Sequence, residues 1–286
     1  MSYLKKINRR SHSNVLVPGM LGVILAVFGT GSITRAADDV SAEPDPEPLF
    51  DSERFDGGTD RNWSLIIGAG GSFEPEYEGS KDFKPSPLPV FLFTYGEWLE
   101  IDPTGVTITA FEHEGFELAA RVGYESGRDE DDGDRLRGLG EIDFAATVGG
   151  KASYSWNGLE LYGTIDQTID GSESLIATIG AEYKAPVTER LILGAGVEAV
   201  IANDKHMAAY FGVNADQSAK SGLAEYEAKA GLKRVDISAS ATYLLTENWL
   251  VKGEAGVGFL TGDAADSPIV EEKVQPSVSL FVGYKF

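Results

Sequence analysis

Segment after segment of this chain sets an apolar residue against a small or polar one with a period of two. At the carboxyl end Val278, Leu280, Val282, Tyr284 and Phe286 alternate with Ser277, Ser279, Gly283 and Lys285, with Phe281 the one mismatch. Phe116, Leu118, Ala120, Val122 and Tyr124 alternate with Glu117, Ala119, Arg121 and Gly123, and Val235, Ile237, Ala239, Ala241 and Tyr243 with Asp236, Ser238, Ser240 and Thr242. Successive side chains of a strand point to opposite faces, so this pattern demands strands with one greasy and one polar face. No segment beyond Trp63 sustains a helical period.

A soluble sandwich also alternates, and three further features separate the two solutions. Most alternating segments run about ten residues, the length that crosses a bilayer when tilted, against the roughly five or six of soluble strands. Aromatic residues fall toward the ends of the apolar faces, among them Trp63, Tyr124, Tyr154, Tyr183, Tyr243, Trp249 and Phe259, where a membrane interface holds amphipathic rings. The second face carries Glu, Asp, Lys and Gly, which suits a hydrogen-bonded interior and not a dry core. The expected fold is therefore all-β, a transmembrane antiparallel β-barrel.

Connection lengths orient it. Short links at Tyr95-Gly96-Glu97, Trp156-Asn157-Gly158, Pro186 to Glu189 and Thr246 to Asn248 alternate with long polar ones at 75–86, 126–137, 204–225 and 262–273. Short turns belong to the periplasmic side and long loops to the outside. All long loops fall outside only when Asp102-Pro103-Thr104-Gly105, a good β-turn sequence, is itself an outer turn. The count is then twelve strands, near 62–74, 86–95, 97–102, 104–112, 115–125, 138–155, 157–169, 172–185, 188–203, 226–245, 247–261 and 274–286. The short 97–102 segment leaves an alternative of ten strands, in which Trp98 to Phe111 is one bulged strand. The final strand, closing against the first, leaves no backbone edge in lipid.

The amino end has the three parts of an export signal: Lys5, Lys6, Arg9 and Arg10, an apolar run from Val15 to Phe28, and a small-residue stretch with cleavage expected after Ala36. That run is shorter than the roughly 20 residues that span a bilayer. Residues 37–61 are acidic and proline-rich, as in a flexible periplasmic leader, and residues 62–286 form the expected barrel. The formal charge of −21 excludes a nucleic-acid partner, since phosphate binding needs a basic face. There are no cysteines, hence no disulfides or thiolate metal sites.

Four segments, FEPEYEGSKDFKPSPLPVF from Phe73, AYFGV from Ala209, SGLAEYEAKAGLK from Ser221 and LTGDAADSPIV from Leu260, together resemble the MipA/OmpV family of outer-membrane proteins. The resemblance spans about 62–286. It implies residence in the outer membrane of a Gram-negative bacterium, in contact with its lipid. It also implies a scaffold joining a lytic transglycosylase to a penicillin-binding protein in peptidoglycan assembly; other members are described as adhesins or antigens. The ending resembles the signal read by the barrel-assembly machinery, with Val282, Tyr284 and Phe286 at its alternate positions.

No enzymatic motif or cofactor site is legible. The loop GRDEDDGDR, Gly127 to Arg135, lacks the Asp-x-Asp-x-Asp-Gly spacing of an EF-hand and places Leu139 where its closing Glu would stand, so it reads as a solvated loop. His113 and His206 fall at opposite ends of the barrel, and His206, near Asp204 and Ser218, reads as a loop histidine. Lumen-lining candidates are Glu117, Arg121, Asp143, Lys151, Asp166, Glu182, Glu198, Asp236, Lys252 and Glu254. Their mixed signs favour a pairing network that fills the lumen, with a narrow passage as the alternative. Pro85, Pro87 and Pro89 are expected to stiffen the first outer loop and delay entry into the second strand.

Overall fold

A computed structural model describes residues 62–169 and 171–286; the export segment and the acidic leader at 37–61 lie outside them. The chain forms a closed antiparallel barrel of twelve strands, each paired with its sequence neighbour and the last with the first. They are β1 (Trp63–Pro75), β2 (Phe83–Tyr95), β3 (Leu99–Asp102), β4 (Gly105–His113), β5 (Phe116–Glu125), β6 (Ala145–Trp156), β7 (Leu159–Thr168), β8 (Leu175–Pro186), β9 (Leu191–Ala202), β10 (Gly231–Leu244), β11 (Trp249–Leu260) and β12 (Val274–Lys285). Among the described residues no helix is long and apolar enough to cross a membrane; the crossing is made by strands.

The short third strand exists, which decides between twelve and ten. Asp102 folds its carboxylate back over the outer turn, where Oδ1 accepts from the Thr104 amide (2.6 Å), the Thr104 hydroxyl (2.6 Å) and the Gly105 amide (3.1 Å). This is the turn chemistry that an Asp-Pro-x-Gly sequence predisposes.

Two strands begin later than the alternation indicates. β6 starts at Ala145 rather than 138, and β10 at Gly231 rather than 226, because Leu139 and Ala228 are taken into apolar clusters above the wall. In contrast, β2 begins earlier, at Phe83, so Pro85, Pro87 and Pro89 lie within a strand and not in the loop before it. The strand tolerates them because their nitrogens face away from β1, its partner along this stretch.

The two faces separate as the period demands. Residues such as Val122, Ile165, Ile179, Ile237, Val278 and Leu280 are exposed along the outer wall, where lipid replaces solvent. Trp63, Tyr95, Tyr154, Trp156, Tyr183, Tyr243 and Trp249 ring the end that carries the short turns. At the closing seam, the Phe286 amide donates to the Leu65 carbonyl (2.9 Å), and Tyr284 packs edge-on against both Trp249 and Phe286.

Phe281, the mismatch in the last strand, points inward over Gly70 of β1. A Cβ built on Gly70 would come within 2.1 Å of the Leu280 carbonyl oxygen and 2.5 Å of the Phe281 Cβ. Glycine is therefore required where the two terminal strands meet. Gly70→Ala should lower stability by about 1–3 kcal/mol through overpacking. The expected outcome is a lower denaturant midpoint in detergent micelles, with Gly71→Ala, whose added Cβ meets only the Ser86 carbonyl at 3.6 Å, much nearer to wild type.

Candidate functional site: the outer cap

Every long outer connection takes part in one folded cap. It contains α1 (Asp204–Phe211), α2 (Ala215–Ser221) and α3 (Gly262–Ala265), together with two short 3-10 turns at Glu130–Asp132 and Asp134–Leu136. Asn203 and Asn214 cap the first two helices, each side chain accepting a backbone amide of the first turn. One apolar cluster joins Met207, Tyr210 and Phe211 of α1 to Ala264 and Ala265 of α3 and to the strand ends at Ala202 and Leu260. A second gathers Tyr77, Leu136, Leu139, Val213 and Ile269 from four separate connections.

Polar cross-links tie the same loops together. Arg135 donates twice to the Pro268 carbonyl (3.0 and 2.7 Å), Gln217 to that of Leu139 (2.6 Å), and Ser267 to that of Phe211 (2.6 Å). Gln275 accepts from the Gly79 amide at 2.9 Å and donates to the Ser80 carbonyl at 3.2 Å. Arg128, itself buried, reaches the Tyr210 carbonyl at 2.8 Å.

Beneath the cap lies a buried relay. A bulge between Leu232 and Arg234 turns two consecutive residues of β10, Lys233 and Arg234, toward the interior, and Glu78 of the first outer loop inserts between them. Its carboxylate lies 3.0 Å from Lys233 Nζ and 3.3 Å from Arg234 Nη1. Lys233 Nζ also stands 3.4 Å from His206 Nε2, His206 Nδ1 is 2.9 Å from the Ser174 hydroxyl, and that hydroxyl is 3.3 Å from Glu125. His206 is stacked on Tyr210, with ring centroids 4.4 Å apart.

The polarity of this chain follows from its ends. An ammonium can only donate, so Nε2 accepts, Nδ1 carries the ring proton and donates to Ser174, and the serine proton turns to the Glu125 carboxylate. An activated serine nucleophile has the opposite direction, donating to the imidazole. Ser174 and His206 are also fully enclosed, with 1% and 0% of their surface accessible. The arrangement is a latch that holds α1 to the tops of β5, β8 and β10.

Burial would raise the Glu78 carboxyl, but Lys233 and Arg234 outweigh it and bring its pKa down to about 2. Burial first, and then the Lys233 charge, lower the His206 pKa to about 3, against an opposing pull from Glu78. Burial and the neighbouring Glu125 carboxylate push the Tyr210 hydroxyl well above its ordinary range.

The histidine's partners are not those nearest in sequence. Asp204 accepts from the Ala230 amide at 2.6 Å, and the Ser218 hydroxyl donates to the Leu223 carbonyl at 2.6 Å. Glu78, Glu125, Ser174 and Lys233, which build the relay, gave no local signal. Within Gly127 to Arg135, Asp129 and Asp132 exchange reciprocal backbone caps, and Glu130 accepts from the Gly138 amide. Among the described residues no three His, Asp or Glu side chains are grouped to hold a metal ion.

Below the cap, inward side chains pair along single strands and between strands one or two places apart. Arg121 meets Asp166 at 3.3 Å, Lys151 meets Glu160 at 2.7 Å, Lys252 meets Glu254 at 3.1 Å, and Glu182 meets Lys184 at 3.2 Å along β8. Arg234 holds Asp236 at 2.8 Å, Tyr162 donates to Glu198 at 2.9 Å, and Glu117 accepts from Thr109 at 3.5 Å. Asp143 departs from this set. It precedes β6 and lines an open cleft of about 930 Å³ on the cap with Arg128, Ser172 and Tyr226, because the period-two pattern runs on past the end of the strand.

Two outcomes test the latch. Glu78→Gln leaves Lys233 and Arg234 without their shared carboxylate and should cost about 3–5 kcal/mol locally; cleavage of the 203–230 loop by added protease should accelerate. The pH dependence has a definite sign. Both groups have folded pKa values below their ordinary 4.5 and 6.5, so each contributes stability that is complete above its ordinary value and lost as pH falls through about 2 for Glu78 and about 3 for His206. Amide exchange in α1, corrected for intrinsic rate, should therefore speed up as pH drops below 6.5, and His206→Gln should flatten that dependence between pH 6.5 and 3.

Among solved structures, the NanC porin aligns with 78% of this chain and 100% of its own at 9% identity and a TM-score of 0.43. The translocator domain of the autotransporter NalP from Neisseria meningitidis aligns over 82% and 92% at 10% identity and 0.39. A loop L8 deletion mutant of OmpT, an outer membrane protein of Vibrio cholerae, aligns over 78% and 98% at 8% identity and 0.37. Among curated proteins no sequence matches. The family described as MltA-interacting protein MipA matches residues 67–286, all but the first few residues of the closed wall together with its cap, and this outer-membrane barrel belongs to that family.

Proposed function

We propose that this protein is a non-enzymatic outer-membrane scaffold that holds a lytic transglycosylase and a penicillin-binding protein together during peptidoglycan assembly. The family description, an MltA-interacting protein, supports a protein partner. The observation that carries the reading is the cap. Loops from around the outer rim are spent on one another, through two apolar clusters and a buried ionic latch, and the lumen beneath is occupied by paired charges. A barrel built so is a closed anchor rather than an open channel.

The surface offered to wall enzymes is then the periplasmic rim. It consists of the turns at 96–98, 114–115, 157–158, 187–190 and 245–248. In the same reading Val282, Tyr284 and Phe286 serve the barrel-assembly machinery during insertion, and the inward charged residues from Glu117 to Glu254 fill the lumen.

A photo-crosslinking residue at Glu189, exposed in the turn after β8, should capture both enzymes in intact envelopes, while the same residue at Glu225 in the cap should capture neither. Loss of the Glu189 adducts would overturn the scaffold reading. Purified protein in planar bilayers should show no steady single-channel steps; persistent steps would overturn the closed lumen.

A further inference from the structure

The wall is not uniformly closed. β2 pairs with β1 along its whole length, from Trp63↔Tyr95 to Pro75↔Phe83, but with β3 only at Phe93, Thr94 and Tyr95. Among the described residues no strand pairs with the other edge of β2 above Phe93, since the β3–β4 hairpin turns back at Pro103 and Thr104. Ten residues, Phe83 to Leu92, or roughly 30 Å of chain, thus present a one-sided edge.

The sequence of that edge fits its position. The Gly96 amide donates to the Asn62 carbonyl beside β1, which by strand parity turns the even-numbered amides of β2 toward β1 and the odd-numbered ones toward the gap. Pro85, Pro87 and Pro89 are all odd. Proline has no N–H, so three of the five donors that would face hydrocarbon are removed, and each unpaired donor there would cost several kcal/mol. The β1–β2 ladder loses nothing. The same prolines break the ladder that an added strand would need along this edge, which disfavours a peptide as the occupant.

The gap is framed on every side. The Pro103–Thr104 turn closes it below. Opposite β2, Tyr124 donates to the Pro103 carbonyl (2.8 Å) and stacks on Phe144 at 5.4 Å, both rings exposed. Above, Lys84 at the head of β2 approaches Asp132 of the cap at 3.8 Å. Exposed Phe91 and Val122 flank the opening outside, and inside β2 offers Leu88, Val90 and Leu92 beside Ile66, an apolar strip facing the lumen.

We propose that this opening is a lateral window in the outer half of the wall, and that it admits the acyl chain of an outer-leaflet membrane lipid, which lies against Leu88 and the proline edge of β2. The occupant follows from the chemistry. The opening faces hydrocarbon, its jambs are aromatic and aliphatic, and its backbone edge has lost three of the five donors that a polar or peptide ligand would use.

The absence of cysteine makes the test direct, because single-cysteine variants need no background changes. Leu88→Cys (inward, at the window), Ser240→Cys (inward on β10, whose neighbours β9 and β11 pair along both edges) and Phe91→Cys (outward) are each labelled with a small fluorophore. They are then reconstituted in phospholipid vesicles with or without bromine on the acyl chains. The expected result is loss of emission at Leu88 as large as at Phe91, with Ser240 unaffected. Leu88 behaving as Ser240 does would overturn the window. Should Leu88→Cys fail to insert, Ser86→Cys, the next inward residue on the same edge, gives the same readout.

Discussion

In hydrocarbon a backbone amide has no solvent to fall back on, and the whole architecture answers to that constraint. It dictates strands that pair on both edges, hence a cylinder, hence the joining of β1 to β12. It dictates the seam glycine, since two strands carrying Phe281 and a second bulky inward side chain could not approach to ladder distance. It also explains the exception. Where the ladder is missing above Phe93, the sequence removes three of the five donors instead of satisfying them, with prolines spaced so that each missing N–H falls on the same edge.

A second layer of structure begins where lipid ends. Above the wall water can solvate loops, so nothing obliges them to fold, and yet they bury two apolar clusters and a chain of ions. Burying Glu78 between two cations is weak evidence for stability, because desolvation offsets most of the attraction. What such a pair supplies is position. Glu78 has one place where both cations reach it, and the bulge at Lys233 creates that place by turning consecutive side chains to one side. From it the order of the relay follows, through the imidazole to Ser174 and Glu125, and with it the seat of α1.

The wall was legible in the sequence because its rule is local. Alternation names the outward residues, and turn chemistry at Asp102 names the short hairpin that brings the count to twelve. The same rule misleads at strand ends, where Ile142 and Asp143 keep the period without belonging to the wall. It also misplaces Pro85, Pro87 and Pro89, because a strand interior excludes proline only when both edges are paired. The cap was not legible at all. Tyr77 meets Ile269 across 192 positions, and His206 passes over Asp204 and Ser218 for a serine 32 positions away. Contacts of that range leave no periodic trace.

The four segments that carry the family resemblance fall mostly on the cap and its roots: the first outer loop with β2, the end of α1, the stretch from α2 to Lys233, and α3 with the loop leading from it toward β12. A physical reason underlies this. An outward wall position asks only for an apolar side chain, since lipid is indifferent to which one, so many sequences serve equally well. Glu78, Gly79, Ser267 and Lys233 each answer to a particular partner at a particular distance, and few replacements meet that demand. Residues that hold the outer end together thus answer to stricter physical demands than the outward residues of the wall, which need only be apolar.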